Sequence, residues 1–177
     1  METTTTMGNH LVTGIFIDKD HANNAYTSLQ NRGYNKDNIH LIMSDDTRKK
    51  HFSHETVKTD LGNKAMEGAG TGSAIGGTVG AIAAAVAAIG TNLLLPGLGL
   101  VIAGPLAAAL AGAGAGGLTG GIIGALVGSG IPKERALVYE KGINQGHIVM
   151  GVHAHDAEHA AEIENELRAH NANEIHR

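Results

Sequence analysis

The stretches HLVTGIFID (10–18) and HIVMGVHAHD (147–156) decide the fold. Each is a short run of β-branched and apolar residues ending on an aspartate that suits a helix N-cap, so each predicts a strand followed by a helix. After the first, Ala22, Ala25, Tyr26 and Leu29 recur at three- and four-residue spacing, and Gly33 suits the residue that closes a helix. A second short strand follows at IHLIMS (39–44), and a polar, helix-compatible run leads on from Asp46. After the second stretch a helix runs to about His170, and residues 173–177 suit a short final strand. Upstream of it, Pro132 suits the first turn of a helix whose less polar positions are Ala136, Leu137, Tyr139 and Ile143, and Gly146 breaks that helix.

The two stretches echo each other. His10, Val12 and Gly14 match His147, Val149 and Gly151 at an offset of 137. After a one-residue shift, Asp18, His21, Ala22 and Leu29 match Asp156, His159, Ala160 and Leu167. Two β-α-β halves predict an α+β, ferredoxin-like domain whose four-stranded sheet carries helices on one side. Val12, Phe16, Val149 and His153 are then expected to alternate onto one side of the sheet. If that side is uncovered, two domains can pair through it.

The halves are separated by an unusual segment. Of the 26 glycines, 19 lie in residues 68–132, which contain no Asp, Glu, Lys, Arg or His. This divides the chain into 1–67, the first half with its lead-in helix, 68–130, an insertion, and 131–177, the second half. Gly68, Gly72, Gly76 and Gly80 step by four, as do Gly104, Ala108, Gly112, Gly116, Gly120, Gly124 and Gly128. On a helix of 3.6 residues per turn, a step of four traces one ridge of missing side chains, against which a second helix can pack closely. The spacing predicts a glycine-zipper helical hairpin. Each interior glycine costs an isolated helix about 0.8–1 kcal/mol relative to alanine, so the arms need packing or a lipid surround to form. Ile, Leu, Val and Ala in register argue against a flexible linker, which would be rich in serine and polar residues.

The predicted tip, TNLLLPGLGLVIAGPL (91–106), is apolar where a soluble hairpin would be polar. Leu93, Leu94, Leu95, Pro96, Leu98 and Leu100 must be covered by a bilayer or by other copies of the chain. Arms of about 25–30 residues would be long enough to cross a bilayer. Lys58, Lys64 and Glu67 before the arms, and Lys133, Glu134 and Arg135 after them, would keep both polar halves on the cytoplasmic side. Two readings stay open: association with the cytoplasmic membrane, and a soluble homo-oligomer with its hairpins packed inside. In both, the partner is the chain itself.

In IPKERALVYEKGINQGHIVMGVHAHDAEHAAEIENELRAH (131–170), the order Pro132, Ala136, Tyr139, Gly142, Gly146, then a strand, then an acidic Ala-rich helix resembles bacterial general stress proteins of the 17M-like type. Low-temperature-induced proteins with a glycine-zipper middle are similar. The opening strand, the Gly33-Tyr34 turn and the zipper extend the resemblance over nearly the whole chain. It implies a bacterial, non-enzymatic protein linked to general stress, with no catalytic residues to carry over. The histidine-rich tail departs from the more acidic tails of that family and leaves open a role particular to this sequence.

The residues themselves point the same way. Cysteine is absent, which removes thiolate sites and disulfides, and no GxSxG nucleophile motif occurs. GAGTGSAIGG (68–77) has glycines spaced like a phosphate loop, but no basic residue follows and no strand precedes it. Glu158, Glu162, Glu164 and Glu166 read as the wet face of the last helix. A net charge of -4 without a basic cluster argues against nucleic acid. The opening METTTTMGNH lacks the basic and apolar regions of a signal peptide, so secretion is not expected. No cofactor is implied. Of the 11 histidines, His153, His155 and His159 are the candidate metal ligands, converging at a strand end, with imidazoles suited to Zn, Ni or Cu. A broader alternative makes the histidines a pH sensor near neutrality.

Overall fold

A computed structural model of the chain describes residues 10–52, 82, 93–95, 99–104, 107, 121–128 and 130–177. Within these residues the fold is α+β. Strand β1 (His10–Phe16) leads into helix α1 (Lys19–Asn31), strand β2 (Ile39–Ser44) and helix α2 (Asp45–Phe52). A ribbon of β3 (Leu93–Leu95) and β4 (Leu100–Ala103) precedes α3 (Gly121–Gly128) and α4 (Lys133–Asn144). Then come β5 (Ile148–Ala154), α5 (Ala157–Ala169) and β6 (Asn173–His176). The strands form one sheet in the order β3-β4-β2-β5-β1-β6, with antiparallel pairing throughout.

The helix ends follow from local chemistry. The Asp18 carboxylate accepts from the N–H groups of Asp20 and His21 and starts α1. Asp156 accepts from the N–H of His159 at 2.8 Å and starts α5. Gly33, at φ +94°, and Gly146, at φ +90°, take the left-handed backbone that ends α1 and α4 at no steric cost. Buried Ala22, Ala25, Tyr26 and Leu29 on α1, with Ala160, Ile163 and Leu167 on α5, pack on one sheet face against Val12, Phe16, Leu41, Met43, Met150 and Val152.

The opposite face is covered too. Ile122, Ala125 and Leu126 of α3 and Ala136, Tyr139 and Ile143 of α4 pack on Ile15, Ile42, Leu100, Ile102 and Val149. The sheet therefore lies between two helical layers, and the expectation of helices on one side only is corrected. Tyr139 fastens the second layer: its hydroxyl donates to the Glu174 carbonyl at 2.8 Å and accepts from the Thr13 hydroxyl at 2.9 Å. At Gly142 the helix comes so near β1 that a Cβ would stand 2.1 Å from Ile15 Cδ1.

The register corrects a second expectation. Val12 pairs with Val152 and Phe16 with Ile148 on the α1–α5 face, whereas Ile15 pairs with Val149 and Leu11 with His153 on the other. Val149 and His153 thus face away from Val12 and Phe16. The cause is the period of two: a slip of one residue moves a side chain to the other face. The offset of 138, which matches the capping aspartates and the buried Ala22/Ala160 and Leu29/Leu167, is the one that keeps faces aligned; 137 does not.

The predicted hairpin tip is the third correction. Leu93, Leu94 and Leu95 form β3, and Leu100 begins β4. β3 pairs with β4, which pairs with β2 from Leu41↔Ala103 to Ser44↔Leu100. Leu100, Val101, Ile102 and Ala103 are buried within the sheet of their own chain. Pro96 and Leu98 lie outside the described residues.

Candidate functional site

The charge-free segment is tied to the domain at several points. Ile82 is buried in the core, and its N–H donates to Asn23 Oδ1 of α1 at 2.9 Å. The β3–β4 ribbon lengthens the sheet beyond β2. Ala107 is buried in the second layer, and its N–H donates to the Gly104 carbonyl. Fully burying an aliphatic side chain stabilises by about 1.5–3 kcal/mol. Ile122 and Leu126 therefore outweigh the penalty of about 1 kcal/mol for Gly124 inside α3.

Of the ten glycines expected in the zipper, Gly104 stands apart. It ends β4 at φ +98°, and a Cβ there would sit 2.4 Å from the Ile39 carbonyl oxygen and 3.1 Å from His40 Cα. Its glycine serves a backbone-to-backbone approach of β4 and β2, not a helical ridge. Gly124 and Gly128 do lie on a helix, α3, four residues apart and on its outer side, with Gly128 exposed. Gly68, Gly72, Gly76, Gly80, Gly112, Gly116 and Gly120 lie outside the described residues.

The histidines divide between the two faces. His153 lies on the α3–α4 face, its ring edge-on to that of His40 with centroids 4.6 Å apart. His155 follows the end of β5 and stacks on Tyr34, which belongs to the α1–α5 side, at 6.3 Å. His159 stands edge-on to His155 at 5.7 Å, and its Nδ1 pairs with Asp156 at 2.8 Å. The expected convergence of His153, His155 and His159 fails because β5 ends at Ala154, so the chain turns before His155 can share a face with His153. Among the described residues no group of three or more His, Cys, Asp or Glu side chains is placed to hold a metal ion.

His40 is the histidine that sequence reasoning passed over. It is fully buried, and burial first, then the neighbouring His153, pushes its pKa down to about 3. Burial also lowers that of His153. Only the strand register brings residues 40 and 153 together, and no sequence spacing announces it. Asp156, through its hydrogen bond and charge, holds the exposed His159 above the usual imidazole range.

Glu166 corrects the wet-face reading of α5. It is buried, while Glu158 and Glu162 are exposed. Burial pushes its carboxyl up, but the Ser28 hydroxyl, the Arg32 guanidinium at 2.6 Å and the His170 ring at 3.2 Å outweigh it and hold the carboxyl below the usual range. The signal was present: Ile163, Glu166 and Leu167 share the stripe begun by Ala160. The network clamps α5 to α1.

A cleft of about 590 Å³ opens at one end of the sheet, lined by Ser44, Asp46, Thr47, Lys50, His51 and His147 among others. Ser44 and Thr47 are bonded to each other at 2.8 Å, so these hydroxyls serve the start of α2. Among the described residues, neither of these hydroxyls is hydrogen-bonded to a histidine or carboxylate of the cleft. Comparison of the chain with protein-family models, with curated proteins and with solved structures gives no match.

Proposed function

We propose that this is a non-enzymatic, stress-related structural protein that assembles with further copies of itself through the glycine-stepped parts of its charge-free segment, on the cytoplasmic side. The observation that carries this reading is the union of two facts. Residues 68–132 hold no charged side chain, and the described parts of that segment are anchored in the domain at Ile82, the ribbon and α3. The strand order β2-β5-β1-β6, with α1 and α5 on one face, supports a ferredoxin-like core to which the ribbon and the α3–α4 layer are added.

The burial of Leu100, Val101 and Ile102 favours the soluble assembly over insertion in the membrane. The apolar tip was the reason to invoke lipid, and at Leu100 the cover comes from the chain's own sheet. Among the described residues no helix is long and apolar enough to cross a membrane. Membrane association is the second reading, supported by the absence of charge over residues 68–132 and by the four-residue glycine step common where helices meet in lipid.

The test is the double replacement Gly116→Leu with Gly120→Leu, followed by light scattering. Leucine on the ridge blocks close helix approach, so the particle mass is expected to fall. An unchanged mass contradicts assembly through these residues.

A further inference from the structure

We propose that the outer side of α4 is a second, self-complementary docking surface, on which the α4 of another copy packs antiparallel about a two-fold axis passing between Leu137 and Val138. The inference rests on the chain being a homo-oligomer, but uses a surface distinct from the glycine steps.

Among the described residues, four large hydrophobic side chains are exposed: Ile17, Val127, Leu137 and Val138. Three of the four lie on α3 and α4, two helices in contact. Leu137 is 49% and Val138 40% exposed, in the middle of a helix whose other hydrophobic positions, Ala136, Tyr139 and Ile143, are buried. Scattered single hydrophobic side chains on a surface need no explanation, but neighbours on one helix face do.

Charge identifies the occupant. Glu134 and Lys141 flank the apolar pair one turn away on either side, on the same helical stripe, and both are exposed. Neither takes part in an ion pair among the described residues. In an antiparallel pair centred between 137 and 138, Glu134 faces Lys141 of the second copy and Lys141 faces its Glu134, while Leu137 meets Val138 in both directions. A two-fold contact must be complementary to itself, and this stripe is. By the same symmetry Arg135 would face Glu140 of the copy, but Arg135 is already held by Glu174 at 2.7 Å, so it is left out of the recognition.

The experiment uses the full chain with single charge reversals and their combination. Glu134→Lys alone, or Lys141→Glu alone, sets like charges against each other twice in the two-fold contact. Each is expected to weaken that contact by about tenfold, read as a rightward shift in the concentration dependence of mass by analytical ultracentrifugation. Joining E134K with K141E restores opposite charges and is expected to restore the original curve. The loss in the single variants is expected to shrink at high salt. Unchanged association in the single variants, or a double variant no better than either, overturns the α4 surface. Circular dichroism on each variant separates misfolding from lost contact, since α4 ends are solvent-exposed and the charges support no internal pair. If the glycine double variant lowers the mass while the charge reversals do nothing, assembly stands and this surface falls. The reverse result keeps this surface and removes the glycine steps.

Discussion

Replacing Gly104 by alanine lowers the unfolding free energy by about 3 kcal/mol. Two costs add. A residue with a Cβ at φ +98° pays on the order of 1–2 kcal/mol of backbone strain. The new carbon would also stand 2.4 Å from the Ile39 carbonyl oxygen and 3.3 Å from the Ile39 carbonyl carbon, which are backbone atoms and cannot swing aside. Forcing β4 off β2 to make room adds about 1–3 kcal/mol, as overpacking does. The sign of the effect discriminates between two accounts of this residue. Were Gly104 one tooth of a helical ridge, alanine would raise the stability of that helix by about 1 kcal/mol. A chemical denaturation midpoint for Gly104→Ala therefore separates a strand-end glycine from a zipper glycine: a drop supports the fold described, and a rise contradicts it.

Acidification from pH 7 to pH 5 costs the folded chain about 2 kcal/mol through His40. An ordinary imidazole in the unfolded chain titrates near 6.5, so at pH 5 the unfolded state takes up a proton at position 40. The folded state does not, because burial and His153 keep the His40 pKa at about 3. Where the unfolded state binds more protons, stability rises with pH, so it falls as the pH drops through 6.5 and goes on falling toward 3. His153, shifted in the same direction, adds to the slope. His159 opposes it, since its raised value favours the folded state once the pH is below the unfolded value. The carboxylates Glu166, Asp18, Asp45 and Asp156 are all held below their usual range, so their stabilisation is lost only under more acid conditions. Denaturation curves between pH 5 and 7 for the wild type and His40→Gln test this. The variant is expected to show a clearly shallower dependence, and equal slopes would contradict a neutral, buried His40.

The elements that could be read from the sequence are those set by neighbours along the chain. Asp18 and Asp156 announce helix starts, Gly33 and Gly146 announce stops, and the β-branched, apolar runs in 10–16 and 148–154 announce strands. The order of these elements also supplies the β-α-β halves. What stayed hidden depends on distant partners. LLLPGLGLVIA (93–103) is apolar enough for a bilayer, a helix tip or a buried edge ribbon, and composition cannot choose. The β-branched Val101 and Ile102, in a run too short for a helix, were the available hint of strand. Gly104 falls into the four-residue step by position alone, and Pro105 immediately after it was a reason to separate it from a helix interior. His40 and His153 meet only through the register of β2 on β5. Leu137 is one of the less polar positions of α4 in the sequence, and only the packing shows that the inner stripe is Ala136, Tyr139, Gly142 and Ile143, which leaves Leu137 outside.

The measurement that bears most directly on the central claim is the particle mass of the full chain by light scattering, first without detergent and then in a nonionic detergent. Self-assembly through a segment already anchored in its own sheet predicts a defined multiple of the chain mass without detergent, and the same multiple with it. A single copy in detergent-free buffer, or a sample that becomes a defined particle only when detergent is added, would contradict the account.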